Sequence, residues 1–117
     1  MPYFDMMAAP VKSDGKEAYL EHARATAPVF MKHGAVRLIE CWGDDVPDGE
    51  TTSFPLAVKL EEGETVVTSI VEWPDKATRD AGMGAVMQDP VMAKMEMPFD
   101  GKRLIFGGFS GMMDTKA

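Results

Sequence analysis

The run Thr65-Val66-Val67-Thr68-Ser69-Ile70-Val71-Glu72-Trp73 constrains this chain more than any other stretch. Branching at Cβ crowds a helix but suits a pleated strand, and Pro74 ends the run. Alternation sends Val67 and Val71 to one side and Val66 and Ile70 to the other. A strand that is apolar on both sides needs cover over each. The fold therefore has to find two covering layers for the sheet that holds this strand, from its own helices or from a second molecule.

The other elements follow from pattern and punctuation. Pro2 to Ala9 is expected as a first strand, stopped by Pro10. Asp14 and Glu17 have the spacing of a capping box for a first helix. In that helix Tyr19, Ala23, Ala27, Phe30 and Met31 share a face, with Lys32 and His33 in the last turn and Gly34 as its stop. Pro28 removes one of its backbone bonds, that to the carbonyl of Arg24, and is expected to kink it. Val36 to Trp42 is the second strand, with Leu38, Glu40 and Trp42 on one side. A polar loop turns on Pro47-Asp48-Gly49, and residues 53–60 suit either a short helix or a strand. Asp75 caps a helix to about Gln88, which Gly82 and Gly84 weaken by about 1 kcal/mol each. Asp89-Pro90 reads as N-cap and first residue of a short helix to Met95. Lys102 to Phe109 closes the series.

The order β-α-β-β-α-β predicts an α+β, ferredoxin-like fold in a single domain spanning residues 1–117. It is a four-stranded antiparallel sheet with both helices on one face. The second sheet face then stays apolar and uncovered, and a second copy packed sheet to sheet is the economical cover.

Composition removes several function classes. The 117 residues carry a net charge of -7, which opposes a nucleic-acid partner because such affinity comes largely from cations neutralising phosphates. The single cysteine, Cys41, permits no intramolecular disulfide and suits a cytoplasmic home. No basic-then-apolar start and no long apolar run suggest a signal peptide or a membrane partner. Asp44, Asp45, Asp48 and Glu50 crowd one loop, but Val46 and Pro55 stand where a calcium loop needs oxygen ligands. His22 and His33 lie three helical turns apart, and with Cys41 on another element no metal set is complete. Nothing calls for a cofactor.

The chemistry-bearing candidates lie on the strands. Asp5 shares parity with Tyr3, and Glu40 with Trp42, so each acid travels with a ring. If this side is the uncovered one, Asp5, Glu40 and Arg103 are the catalytic candidates, and Tyr3, Trp42, Thr68 and Ile70 line a ligand site. Burial would raise a carboxylate's pKa and suit proton transfer, whereas a neighbouring guanidinium would lower it and mark an ion pair.

Ile39 to Gly49, Thr52 to Pro55, Glu64 to Val67, Arg79-Asp80 and Met97 to Phe109 together resemble the domain of unknown function 1428 family. That resemblance covers nearly the whole chain. It implies a ferredoxin-like protomer of the dimeric α+β barrel superfamily, in which two sheets face each other around a cavity. It also implies two candidate roles: a cofactor-independent enzyme acting on a small organic molecule, or a non-catalytic binding or stress-response module. Pro28, Thr68 with Ile70, and the short segment after Pro90 depart from the family's usual pattern.

Overall fold

The computed structural model describes residues 1–117. Four strands form one antiparallel sheet in the order β2-β3-β1-β4, with β1 at Tyr3–Lys12, β2 at Arg37–Trp42, β3 at Glu64–Trp73 and β4 at Ile105–Ser110. Between them lie α1 (Lys16–Lys32), α2 (Phe54–Ala57), α3 (Lys76–Gln88) and α4 (Pro90–Ala93). This is the ferredoxin-like arrangement. The doubly apolar β3 sits inside the sheet, between β2 and β1.

Strand β1 runs through Pro10 instead of stopping there, and the ladder explains why. The Val66 carbonyl accepts from Gly43 N–H on the β2 side at 2.8 Å. Val66 therefore points its backbone groups away from its partner Pro10, whose nitrogen faces the opposite edge. Strand β4 pairs with β1 only as far as Ala8. The missing N–H of Pro10 falls where no neighbour waits, a place where a strand tolerates proline.

Helix starts divide into two kinds. Asp75 caps α3 by accepting from Thr78 N–H at 2.7 Å, and Asp89 caps α4 by accepting from Val91 N–H at 3.0 Å. Ser53 caps α2 through Leu56 N–H at 3.0 Å, which settles residues 53–60 as helical at their start. The expected capping box of α1 does not form. Asp14 lies in a 3-10 turn, Ser13–Gly15, and Gly15 takes the cap position without a side-chain bond. Pro28 lies inside α1, which continues to Lys32.

Pairing fixes the faces. Val67 stands opposite Ala9 and Trp42, Ser69 opposite Met7 and Glu40, and Val71 opposite Asp5 and Leu38. These residues share the side beneath α1 and α3, where Ala9, Val11, Tyr19 and Val67 form one core cluster and Ala35, Val71 and Trp73 another. Trp73 is fully buried. A methyl group on Gly82 would collide with its ring and with the His33 carbonyl, so α3 approaches this closely only because Gly82 has no side chain.

The other face carries Met6, Ala8, Val66, Thr68, Ile70, Ile105 and Phe109. Val58 and Leu60, after α2, cover it at one corner against Ala8 and Val66. The rest is open, with Met6, Ile105 and Phe109 exposed. The solvent-accessible surface is 7805 Å², against roughly 6,300 Å² expected of a compact monomer of this mass.

Candidate functional site

The parity reading of the acids holds, but the side is reversed. Asp5 with Tyr3, and Glu40 with Trp42, lie beneath the helices, not on the uncovered face. Thr68 and Ile70 point the opposite way. Arg103 precedes β4 and belongs to neither group. The expected seven-residue site is therefore three separate places.

Arg103 ties a corner together. Its Nη1 and Nη2 donate to Glu64 Oε1 and Oε2 at 2.7 and 2.8 Å, its Nε to Asp100 Oδ2 at 2.9 Å, and Nη1 also to the Lys59 carbonyl at 3.0 Å. This bidentate grip holds the Glu64 carboxyl below its ordinary range. The hydrogen bonds to Glu64 and Asp100 raise the proton affinity of Arg103 itself. Little of the guanidinium is left for a substrate.

Asp5 is an ion-pair centre. Arg79 donates to it from Nε and Nη2, the latter at 2.8 Å to Oδ1, and Trp73 Nε1–H donates to Oδ2 at 2.9 Å. The guanidinium also lies over the Tyr3 ring, 5.2 Å from its centre, a favourable cation–π placement. Gly108 stands opposite Asp5 on β4, and a methyl group there would press on Tyr3 Oη and Arg79 Nη2.

Glu40 has hydroxyls where Asp5 has a guanidinium. Tyr19 O–H donates to Oε1 at 2.6 Å and Ser69 O–H to Oε2 at 3.1 Å. No cation pairs with it, whereas Asp5, Glu64 and Asp89 each hold one, Arg79, Arg103 and Lys32 respectively. Burial pushes the Glu40 carboxyl above its ordinary range, and the two hydroxyl donors pull it partly back. Tyr19 is raised as well, by burial and by donating to Glu40. Lys16 lies 5.7 Å from the centre of the neighbouring Trp42 ring.

Sequence reasoning missed Tyr19, Ser69 and Arg79. Tyr19 was placed on the apolar face of its helix, and that alone carried a signal, because a buried phenol usually finds a hydrogen-bond partner.

The uncovered face holds a cleft of about 380 Å³. Met6, Thr68 and Ile70 contribute to its floor, and Phe54, Ile105 and Phe109 to its sides. Thr68 and Ile70 were expected here; the aromatic walls were expected to be Tyr3 and Trp42. No ionisable side chain lines it. The exposed thiol of Cys41 shares this face by parity, opposite Thr68. His33 lies elsewhere, at the end of α1, bonded to Asp89 at 2.9 Å. No helix is long and apolar enough to cross a membrane.

Comparison with known proteins gives the same fold. A dimeric ferredoxin-like protein from an uncultured marine organism aligns over all of both chains with a TM-score of 0.55 at 12% identity. A NIPSNAP domain protein from Burkholderia xenovorans aligns over 98% of this chain and 99% of its own, with a TM-score of 0.53 at 13% identity. The uncharacterised protein YbaA of Escherichia coli K12 is 49% identical over 116 residues, covering 97% of this chain and 99% of YbaA. The same identity and coverage hold for YbaA of Shigella flexneri. Residues 2–101 match the family described as "Protein of unknown function (DUF1428)", and the chain belongs to that family.

Proposed function

We propose that this chain works as a cytosolic homodimer that binds a small apolar organic molecule in the cleft on its uncovered sheet face. One observation carries the reading: the cleft is of small-ligand size, apolar, and free of ionisable side chains. The dimer is supported by the surface excess, on the order of 1,500 Å² per chain over a compact monomer. A dimeric ferredoxin-like protein among the structural neighbours points the same way. A cleft without an acid or base favours holding a ligand over transforming it.

The test uses light scattering together with 8-anilinonaphthalene-1-sulfonate as an apolar probe. The expected result is a dimer at micromolar concentration and saturable fluorescence that Ile70→Trp removes by filling the cleft. Thr68→Phe provides the same test should Ile70→Trp fold poorly. A monomer, or probe binding unchanged in both dimeric variants, would overturn the reading.

A second reading, catalysis by proton transfer, is favoured by Glu40, a partly buried carboxylate held by two hydroxyls and no cation. Perturbed acids of this kind concentrate at catalytic sites. Its test is loss of turnover of a screened substrate in Glu40→Gln with fold and assembly intact; unchanged turnover removes it.

A further inference from the structure

Half of the chain's six phenylalanines stand around the cleft on the uncovered face. Phe54, at the start of α2, and Phe106 and Phe109, on β4, all line it, and all three are more than half exposed. Gly107 makes the room between the β4 rings. It stands opposite Met6, in the row that alternation gives to Ile105 and Phe109, and adds no side chain there. A Cβ on Gly107 would lie 3.4 Å from the Phe109 ring, so that ring leans over a gap which a larger residue would fill. Met6 contributes a thioether to the lining, a group that makes favourable contacts with ring edges. Two residues with hydroxyls, Thr68 and Ser69, line the cleft. Ser69 spends its O–H on Glu40, beneath the helices. The Thr68 hydroxyl is left to orient whatever enters.

We propose that the ligand of this cleft is a flat, two-ring aromatic molecule with one hydrogen-bonding oxygen, a phenol or an aryl ketone, held among Phe54, Phe106 and Phe109 and anchored at the Thr68 hydroxyl. The inference rests on the ligand-binding reading above and names the class of ligand. Size sets the number of rings: an apolar cavity of roughly 150 Å³ holds one benzene, and this cleft offers about 380 Å³. Ring chemistry sets the shape. Aromatic pairs in offset or edge-to-face contact gain affinity beyond the area they bury, and a saturated frame of equal size gains only the area. Charge sets the polarity. No ionisable side chain lines the cleft, so an ionised substituent has nothing to pair with and must stay in water at the mouth. One free hydroxyl satisfies one oxygen, and a second polar group carried inside would lose its partners.

The experiment measures displacement of bound 8-anilinonaphthalene-1-sulfonate from the full chain by 2-naphthol, naphthalene and decahydro-2-naphthol. The last carries the same hydroxyl on a puckered, saturated frame. The expected result is that 2-naphthol displaces the dye at about tenfold lower concentration than decahydro-2-naphthol. Thr68→Val keeps the branched shape of the side chain; it should weaken 2-naphthol about fivefold and leave naphthalene unchanged. Phe109→Leu should narrow the aromatic preference to about twofold, and Phe54→Leu repeats that arm should Phe109→Leu fold poorly. Equal displacement by 2-naphthol and its saturated counterpart overturns the aromatic class, and undiminished binding of 2-naphthol to Thr68→Val overturns the anchor. Either result leaves dye binding, and with it the ligand reading, in place. Failure of the dye and of every naphthyl probe to bind the native chain means that a partner subunit fills the cleft, and it removes the ligand reading and this inference together.

Discussion

Asp5 and Glu40 stand on the same face of the same sheet, both under helices, and differ in what reaches them. Asp5 meets a guanidinium and an indole N–H; Glu40 meets a phenol and a serine hydroxyl. The first arrangement neutralises a charge and fastens α3 to β1. The second leaves a carboxylate short of compensation, and its proton affinity rises. A buried acid is thus assigned by the charge of its partners more than by its depth.

The largest effect separating the two regions is expected from Arg79→Ala. Removing the guanidinium strands Asp5 beside Trp73 with one donor left, at a cost of about 2–4 kcal/mol. Urea unfolding checks it, as a lowered midpoint with an unchanged slope. A loss under about 0.5 kcal/mol would reduce this cluster to an ordinary surface pair.

Gly108→Ala should cost less, about 1–2 kcal/mol, since a new methyl must displace Tyr3 Oη and the Arg79 guanidinium. A neutral result would show that the cation–π stack yields readily. Thermal unfolding of this variant beside Arg79→Ala, singly and together, shows whether the two act through one cluster.

The smallest effect, and the most specific, belongs to Glu40→Gln. The folded state raises the Glu40 proton affinity above its ordinary value of 4.5. The folded chain therefore holds that proton more firmly than the unfolded one. Its contribution is fully present below the unfolded value and is lost as pH rises through the folded value. Glu40→Gln is accordingly near neutral at pH 4 and more stable than the native chain by about 1 kcal/mol at pH 7. Denaturant midpoints at the two pH values decide it. An advantage that shrinks toward neutral pH would overturn the reading of Glu40 as an uncompensated acid.

The parts of this molecule that local chemistry controls were legible in the chain. Strand β3, the Asp75 and Asp89 caps and the pairing of each acid with a ring follow from neighbours a few residues apart. Two other features depend on distant partners and were not legible. Strand β2 meets β3 with Glu40 opposite Ser69, so Thr68 and Glu40 project to opposite faces; a one-residue phase between strands decides this. The choice of which face the helices cover then inverted the expected site. Arg103 was drawn into that site by its place near β4, although the Lys59 carbonyl and Glu64, both about forty residues away, compete for it alongside the local Asp100.

The central position of β1 has a consequence for how the chain acquires its shape. Its first sheet strand, Tyr3–Lys12, needs β3 on one side and β4 on the other, and Tyr3 pairs with Ser110 almost at the opposite end of the sequence. During synthesis this apolar segment emerges early and finds its last neighbour late. Closing such distant pairs is entropically costly before any packing rewards it, so folding should be slow for a domain of this size. While it waits, Phe4-Asp5-Met6-Met7 is a bare strand in search of a mate, and a nascent neighbour offering the same segment competes with the native partner. The topology that buries β1 most fully at the end is the one that exposes it longest on the way.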